Sequence, residues 1–142
     1  MDRLIIDSSV AIKWFLPEPF SSEACRILDA YKTGSLTMMA PDLINAEFGN
    51  IVWKKHVFQG LAEPDAQTVI EEFGKLAFVL TSTASLLNDA YRLAVTHKRT
   101  VYDCLYIALS LRENCQFVTA DEKLVNATSS SISTIKWLPN WP

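Results

Sequence analysis

The sequence predicts an α/β fold, an open parallel sheet of roughly five short strands with helices on both faces. Leu4-Ile5-Ile6 is a short, continuous apolar run rich in β-branched residues, the pattern of a parallel strand buried on both sides. Similar short runs recur along the chain, separated by helical patterns long enough to serve as right-handed crossovers. Finally, 142 residues suit one domain of about 100–150 residues, and the balance of 49% hydrophobic to 20% charged residues is that of a chain able to bury a core.

Leu4-Ile5-Ile6 gives the first and central strand. Residues 9–16 follow as a short helix stopped by Pro17 and Pro19, which cannot continue one. Ser21 or Ser22 can cap a second helix through Tyr31-Lys32, and Gly34 closes it. Leu36 to Met39 reads as the second strand. Ala40-Pro41 then opens a long helix to about Gly60, since proline suits a first helical turn. Pro64 starts another helix through Ala77, ahead of a third strand at Phe78-Val79-Leu80. Thr83 or Ser85 begins a helix to about His97, and residues 101–113 form a strongly apolar helix. Phe117-Val118-Thr119 is the fourth strand, Asp121 begins a short helix, and Ile132 to Leu138 contains the fifth strand. One domain over residues 1–142 accounts for all of this, without repeats or linkers.

Composition narrows function by exclusion. Asp7 ends the N-terminal apolar run before it reaches the roughly 7–15 residues of a secretory signal. Charges break every other apolar stretch short of the ~20 residues of a membrane span. A soluble, cytoplasmic protein with no membrane partner is therefore expected. Cys25, Cys104 and Cys115 are odd in number and lack metal-knuckle or redox spacing, which fits buried thiols in a reducing compartment. A formal charge of -3 is not that of a general nucleic-acid binder. It excludes nothing, because four of the 16 acids neutralised by metal would leave 12 facing 13 Lys and Arg.

Open parallel sheets bind ligands beyond the carboxyl ends of their strands, where strand order reverses. Asp7 directly follows the central strand, and Asp121 repeats that placement after Val118-Thr119-Ala120. Either acid can also cap the next helix, although Ser8 and Ser9 are available to do so for Asp7. Glu47 lies on or beside the helical stripe of Ile44, Phe48, Ile51 and Val52, and acids are rarely buried without partners. Asp103 opens a helix apolar nearly all round, so its early charge has to point at something; a helix N-terminus alone would favour it by roughly 0.3–1 kcal/mol.

Bringing four carboxylates together is costly, about 4 kcal/mol for a pair 4 Å apart at an effective dielectric of 20. With no lysine or histidine at corresponding positions, a hard divalent cation is the expected counter-charge, Mg²⁺ or Mn²⁺ rather than zinc. Such sites suit phosphate chemistry, in which a metal activates water and neutralises charge building on the scissile phosphate. Ser8 and Thr119, beside two of the acids, can orient a water or a carboxylate, or act as local caps.

Ile5-Ile6-Asp7-Ser8-Ser9-Val10-Ala11-Ile12-Lys13-Trp14-Phe15, the helix glutamate Glu47, Thr100-Val101-Tyr102-Asp103-Cys104-Leu105-Tyr106-Ile107-Ala108-Leu109 and Val118-Thr119-Ala120-Asp121 together resemble the PIN domain family, specifically the VapC-type toxins of bacterial toxin-antitoxin pairs. Each segment is weak alone, but four in order span essentially the whole chain. The resemblance implies a Rossmann-like sheet, Mg²⁺ or Mn²⁺ bound by the acids, endoribonuclease action, homodimerisation and inhibition by a cognate antitoxin protein. It places Asp7, Glu47, Asp103 and Asp121 in the family's acidic quartet, with none substituted. Ser8 matches the small hydroxyl residue beside the first acid, and Glu122 can share the work of Asp121.

Other readings fit less well. A receiver domain needs an acidic pair after the first strand and an acceptor aspartate after the third, where this chain has Ser8-Ser9 and Thr81-Ser82. A haloacid-type phosphatase wants an aspartate where Ser9 stands. A non-catalytic binding module of the same fold, or a PIN nuclease outside a toxin-antitoxin system, remains as an alternative. Lys54-Lys55 and Lys98-Arg99 can steer RNA phosphates, although such pairs more often mark a solvated helix end. His56 and His97 lack partners at ligand spacing. Trp14-Phe15-Leu16 and Trp53 read equally as core or as anchors for a partner.

Overall fold

A computed structural model describes residues 2–142. Its five strands, β1 (Asp2–Ile6), β2 (Leu36–Pro41), β3 (Val79–Thr81), β4 (Gln116–Thr119) and β5 (Ile135–Trp137), form one sheet in the order β3-β2-β1-β4-β5. Every pairing is parallel. The chain moves outward from β1 to β2 and β3, then returns to the other side of β1 with β4. Strand order therefore reverses between β1 and β4, and their carboxyl ends flank the crevice that such a reversal opens.

Side chains alternate across the sheet with the two-residue period of a strand. Ile5, Met39, Phe117 and Ile135 face the larger core, built with α3 (Leu43–Gln59), α4 (Glu63–Gly74), α5 (Thr83–His97) and α6 (Val101–Glu113). Leu4, Ile6, Leu36, Met38 and Val118 face a smaller core closed by Ala24 and Ile27 of α2 (Ser21–Lys32) and by Leu138. Two short helices complete the fold, α1 (Ser8–Ala11) and α7 (Glu122–Thr128). The expected parallel α/β sheet with helices on both faces is what the chain forms. Among the described residues no helix is long and apolar enough to cross a membrane.

Several element ends differ from expectation for identifiable reasons. The first helix is α-helical only to Ala11 and tightens into a 3₁₀ turn over Ile12–Trp14. Pro41 ends β2 instead of opening α3. It pairs with Thr81 of β3 beyond the last β1 register, Ile5 with Met39, so its missing N–H leaves no gap in the central ladder. Neither Ser21 nor Ser22 caps α2; Phe20 does so in a left-handed conformation, φ 68, while Ser21 Oγ accepts from the backbone N–H of Glu18 at 3.0 Å. Trp14 and Phe15 belong to the core: Trp14 donates to the carbonyl of Ala24 at 2.8 Å, and Phe15 packs edge-on against Phe48. Trp53, 52% exposed, does not.

Candidate active site at the carboxyl edge of the sheet

β1 ends by delivering Asp7 to the crevice, where its extended backbone makes it the N-cap of α1. Asp7 Oδ1 accepts from the backbone N–H groups of Ser9 at 3.1 Å and Val10 at 3.3 Å, and from the Ser9 hydroxyl at 2.5 Å. Of the possible caps, Asp7 or the serines Ser8 and Ser9, the acid itself is the one used. Capping and a place in the site are compatible, because the cap fixes where the carboxylate points. Oδ2 accepts from Thr119 Oγ1 alone, at 2.5 Å. A carboxylate offers about four lone-pair sites, so the free capacity of Asp7 lies on Oδ2.

Thr119, fully buried at the end of β4, also accepts from the backbone N–H of Asp121 at 3.1 Å. Its hydroxyl thus ties the two strand-end acids together. Asp121 in turn caps α7, accepting from Leu124 N–H at 3.1 Å. Ser9, read from the sequence only as an available helix cap, links both strand ends, because its hydroxyl also accepts from the N–H of Ala120 at 3.0 Å.

The other two acids come from helices. On α3 the buried residues Ile44, Phe48 and Val52 hold one face against the core, and Glu47 is half-buried beside them. Its Oε1 accepts from the Tyr106 hydroxyl at 2.5 Å. Tyr106 is held by stacking on Phe117, with ring centroids 5.4 Å apart and 14° between planes. Asp103 stands in the first turn of α6, whose N-cap Thr100 accepts from the Asp103 N–H at 3.1 Å. From Cys104 to Ser110 that helix is buried, which leaves Asp103 at its wet end.

Asp7, Glu47, Asp103 and Asp121 line one pocket of about 150 Å³ with Ser8, Ser9, Tyr106, Phe117 and Leu124. Glu122 is exposed and lies outside this lining. Burial raises the Asp7 carboxyl to about 6 against the pull of its hydrogen bonds, and the Asp121 charge pushes it the same way. Burial also raises Glu47, opposed by the Tyr106 hydrogen bond and reinforced by the charges of Asp7 and Asp103. Asp103 is raised by burial and by Asp121 and lowered by Arg99. The four carboxylates therefore repel one another around a closed ring. Burial and the neighbouring Glu47 charge keep Tyr106 protonated, as a donor.

Arg99 is the feature that sequence reasoning misjudged. Its Nη2 lies 3.2 Å from Asp103 Oδ2 and 3.8 Å from Asp121 Oδ2, so a basic side chain does compensate part of the acidic charge. Its four-residue offset from Asp103 was the available signal, and Tyr106, three residues beyond Asp103 on the same helical face, carried a similar one.

The donor set suits a hard cation. It consists of carboxylate and hydroxyl oxygens, and the nearby Cys104 thiol is buried and pushed up to about 11, far from a thiolate. Among the described residues no three acidic, histidine or cysteine side chains make a finished ligand group.

A sequence profile described as PIN domain matches residues 4–128. Ribonuclease VapC3 of Pyrobaculum aerophilum is 33% identical over 126 residues, covering 86% of this chain and 92% of the relative. Among solved structures, PAE2754 from the same organism superposes with a TM-score of 0.66 at 19% identity, covering 98% of this chain and 93% of that one. VapC20 of Mycobacterium tuberculosis, described as a sarcin-ricin loop cleaving toxin, gives a TM-score of 0.64 at 14% identity over 88% of this chain and 95% of its own. These two structures share the fold.

Proposed function

Since this chain belongs to the PIN domain family, with ribonuclease VapC3 among its relatives, we propose that it is a metal-dependent endoribonuclease acting as the toxin of a toxin-antitoxin pair. The observation that carries the proposal is the pocket at the β1–β4 reversal, where four acids from separate segments face one another with Arg99 as their charge partner. A structural role alone leaves such mutual repulsion without purpose.

In this reading Asp7, Glu47, Asp103 and Asp121 would hold Mg²⁺ or Mn²⁺. The cation, when bound, supplies an activated water and stabilises charge on the scissile phosphate. The chain's own residues prepare the place. Ser9, Thr119 and the helix N–H groups give Asp7 four hydrogen bonds, three on Oδ1 and one on Oδ2, which leaves the spare acceptor capacity on Oδ2. Tyr106 fixes Glu47 in the same way. Phe117 and Leu124 keep one side of the pocket apolar, which strengthens electrostatic interactions inside it.

The partners proposed are an RNA substrate, a cognate antitoxin protein and a second copy of the chain, in a cytoplasmic setting. The helical segment 9–16 offers little apolar surface for dimerisation, because Val10, Ala11 and Ile12 are buried. On α3, Trp53, Val57 and Phe58 remain exposed and can contribute. Light scattering at micromolar concentration should give about twice 15.9 kDa. Induced expression alone should arrest growth, and Asp7→Asn should relieve the arrest. Normal growth with abundant soluble protein would count against the toxin role.

A further inference from the structure

A second pocket adjoins the acidic one and has the opposite charge. It measures about 290 Å³ and is lined by Lys13, Glu18, Lys54, Lys55 and Gln59, among others. Ser9 lines both pockets, and Ala120, beside Asp121, lies on the basic side. The same two segments run between them. The first carries Ser9 and, four residues on, Lys13; α3 carries Glu47 and then Ile51, Lys54 and Lys55, seven and eight residues beyond it. At 1.5 Å per residue the α3 lysines stand about 10–12 Å along the helix from the acid.

The lysines are not alike. Lys13 is buried and Lys55 mostly so, and both are held by one carboxylate: Lys13 Nζ lies 3.0 Å from Glu18 Oε1, and Lys55 Nζ lies 2.7 Å from Oε2. Those two lysines hold the Glu18 carboxyl below its usual range although burial opposes them, so it stays ionised. Lys54 is exposed and has no ion pair among the described residues. Three cations against one anion leave the pocket with an excess of two positive charges, next to a pocket whose acids exceed its cation.

From this juxtaposition we infer that the basic pocket is a backbone-phosphate subsite, where Lys54 receives a neighbouring phosphate of the RNA strand whose scissile phosphate sits at the four acids. The inference rests on the ribonuclease reading above. Glu18 holds Lys13 and Lys55 in place and tempers their charge, leaving Lys54 as the direct contact. Contacts of this kind position a strand without reading its sequence. A polyanion is favoured over an acidic peptide because the two pockets share Ser9 and alternate in sign, as a strand neutralised by metal at one phosphate and by lysine at the next requires.

The test measures binding of a short fluorescein-labelled single-stranded RNA to Asp7→Asn protein, by anisotropy across a salt series, with Mn²⁺ held at a concentration that saturates the weakened site of this variant. Adding Lys54→Gln should weaken binding several-fold and flatten the plot of log affinity against log salt by about 0.7, the value of one lost single-strand phosphate contact. Glu18→Gln, which frees two lysines, should tighten binding and steepen the plot. Lys75→Gln, a control at the C-cap of α4 where Lys75 pairs with Glu72, should leave the slope alone. An unchanged slope for Lys54→Gln with RNA binding intact overturns the subsite and leaves the ribonuclease reading standing. Glu18→Gln that only lowers stability, with slope unchanged, also overturns it. Wild-type protein that neither binds nor cuts RNA in Mn²⁺ overturns both.

Discussion

Replacing Asp7 with asparagine removes a charge from the most buried of the four acids while keeping its shape. Burial raises this carboxyl from 3.8 to about 6. Between those values the folded protein binds more protons than the unfolded chain, so stability falls as pH rises through the window. Above pH 6 the loss is complete and amounts to about 3 kcal/mol, at about 1.4 kcal/mol per pKa unit. The amide carries no such penalty. It can still accept from the N–H groups of Ser9 and Val10, and its NH₂ can donate to Thr119, whose hydroxyl has two acceptor sites. A neutral cap is weaker by about 1 kcal/mol. Asp7→Asn should therefore be more stable than wild type by about 2 kcal/mol in EDTA at about pH 7.5, raising the melting temperature by about 5–10 °C for a domain of this size. The advantage should vanish towards about pH 4, and Mn²⁺ should raise the melting temperature of wild type far more than that of the variant. Thermal denaturation followed by circular dichroism over this pH range measures all three effects. A variant less stable than wild type by a margin independent of pH would refute the reasoning and leave Asp7 as a helix cap alone.

Three further substitutions probe the supports of the site. Tyr106→Phe removes the donor to Glu47 and should cost about 1–2 kcal/mol in urea denaturation while moving the Glu47 titration to higher pH by NMR; no change in either would deny the hydrogen bond its role. Arg99→Met removes the cation beside Asp103 and Asp121, so the metal-free fold should lose up to about 1 kcal/mol, while calorimetry should find Mn²⁺ bound several-fold more tightly. Weaker Mn²⁺ binding there would mean that Arg99 supports the cation instead of competing with it. Phe48→Ala removes a fully buried ring that stacks on Phe73 at 3.8 Å and packs against Phe15. It should cost about 3–5 kcal/mol and lower Mn²⁺ affinity by loosening the turn of α3 that carries Glu47.

The sheet was legible because its strands are short apolar runs and its helices are amphipathic, and both signals are local. Leu4 to Ile6 and the run before Asp121 announced the two strand ends that flank the crevice, and the stripe around Glu47 announced a carboxylate beside the core. What a local reading misses is contact between distant segments. The bond from Tyr106 to Glu47 joins residues 59 positions apart, and that from Thr119 to Asp7 joins residues 112 apart. Arg99 differs: its contact with Asp103 is local and was within reach of the four-residue spacing, and only its longer approach to Asp121 depends on distant segments coming together. Pro41 misled for a similar reason: a proline before a helix suggests its first turn, and only the register with β3 shows that the strand still holds it. The choice of Ser8 over Ser9 followed adjacency to Asp7, whereas the geometry of a capped helix brings the next hydroxyl onto the carboxylate.

Incubating purified protein with RNA, with Mn²⁺ or Mg²⁺ and separately with EDTA, and comparing wild type with Asp103→Asn, tests the central claim most directly. Asp103 lines the pocket without capping a helix through its own side chain, so its amide should fold as wild type does. The account predicts internal cleavage by wild type that needs the divalent ion, and none by Asp103→Asn at matched folding by circular dichroism. Cleavage that persists in EDTA, or undiminished in Asp103→Asn, would contradict it.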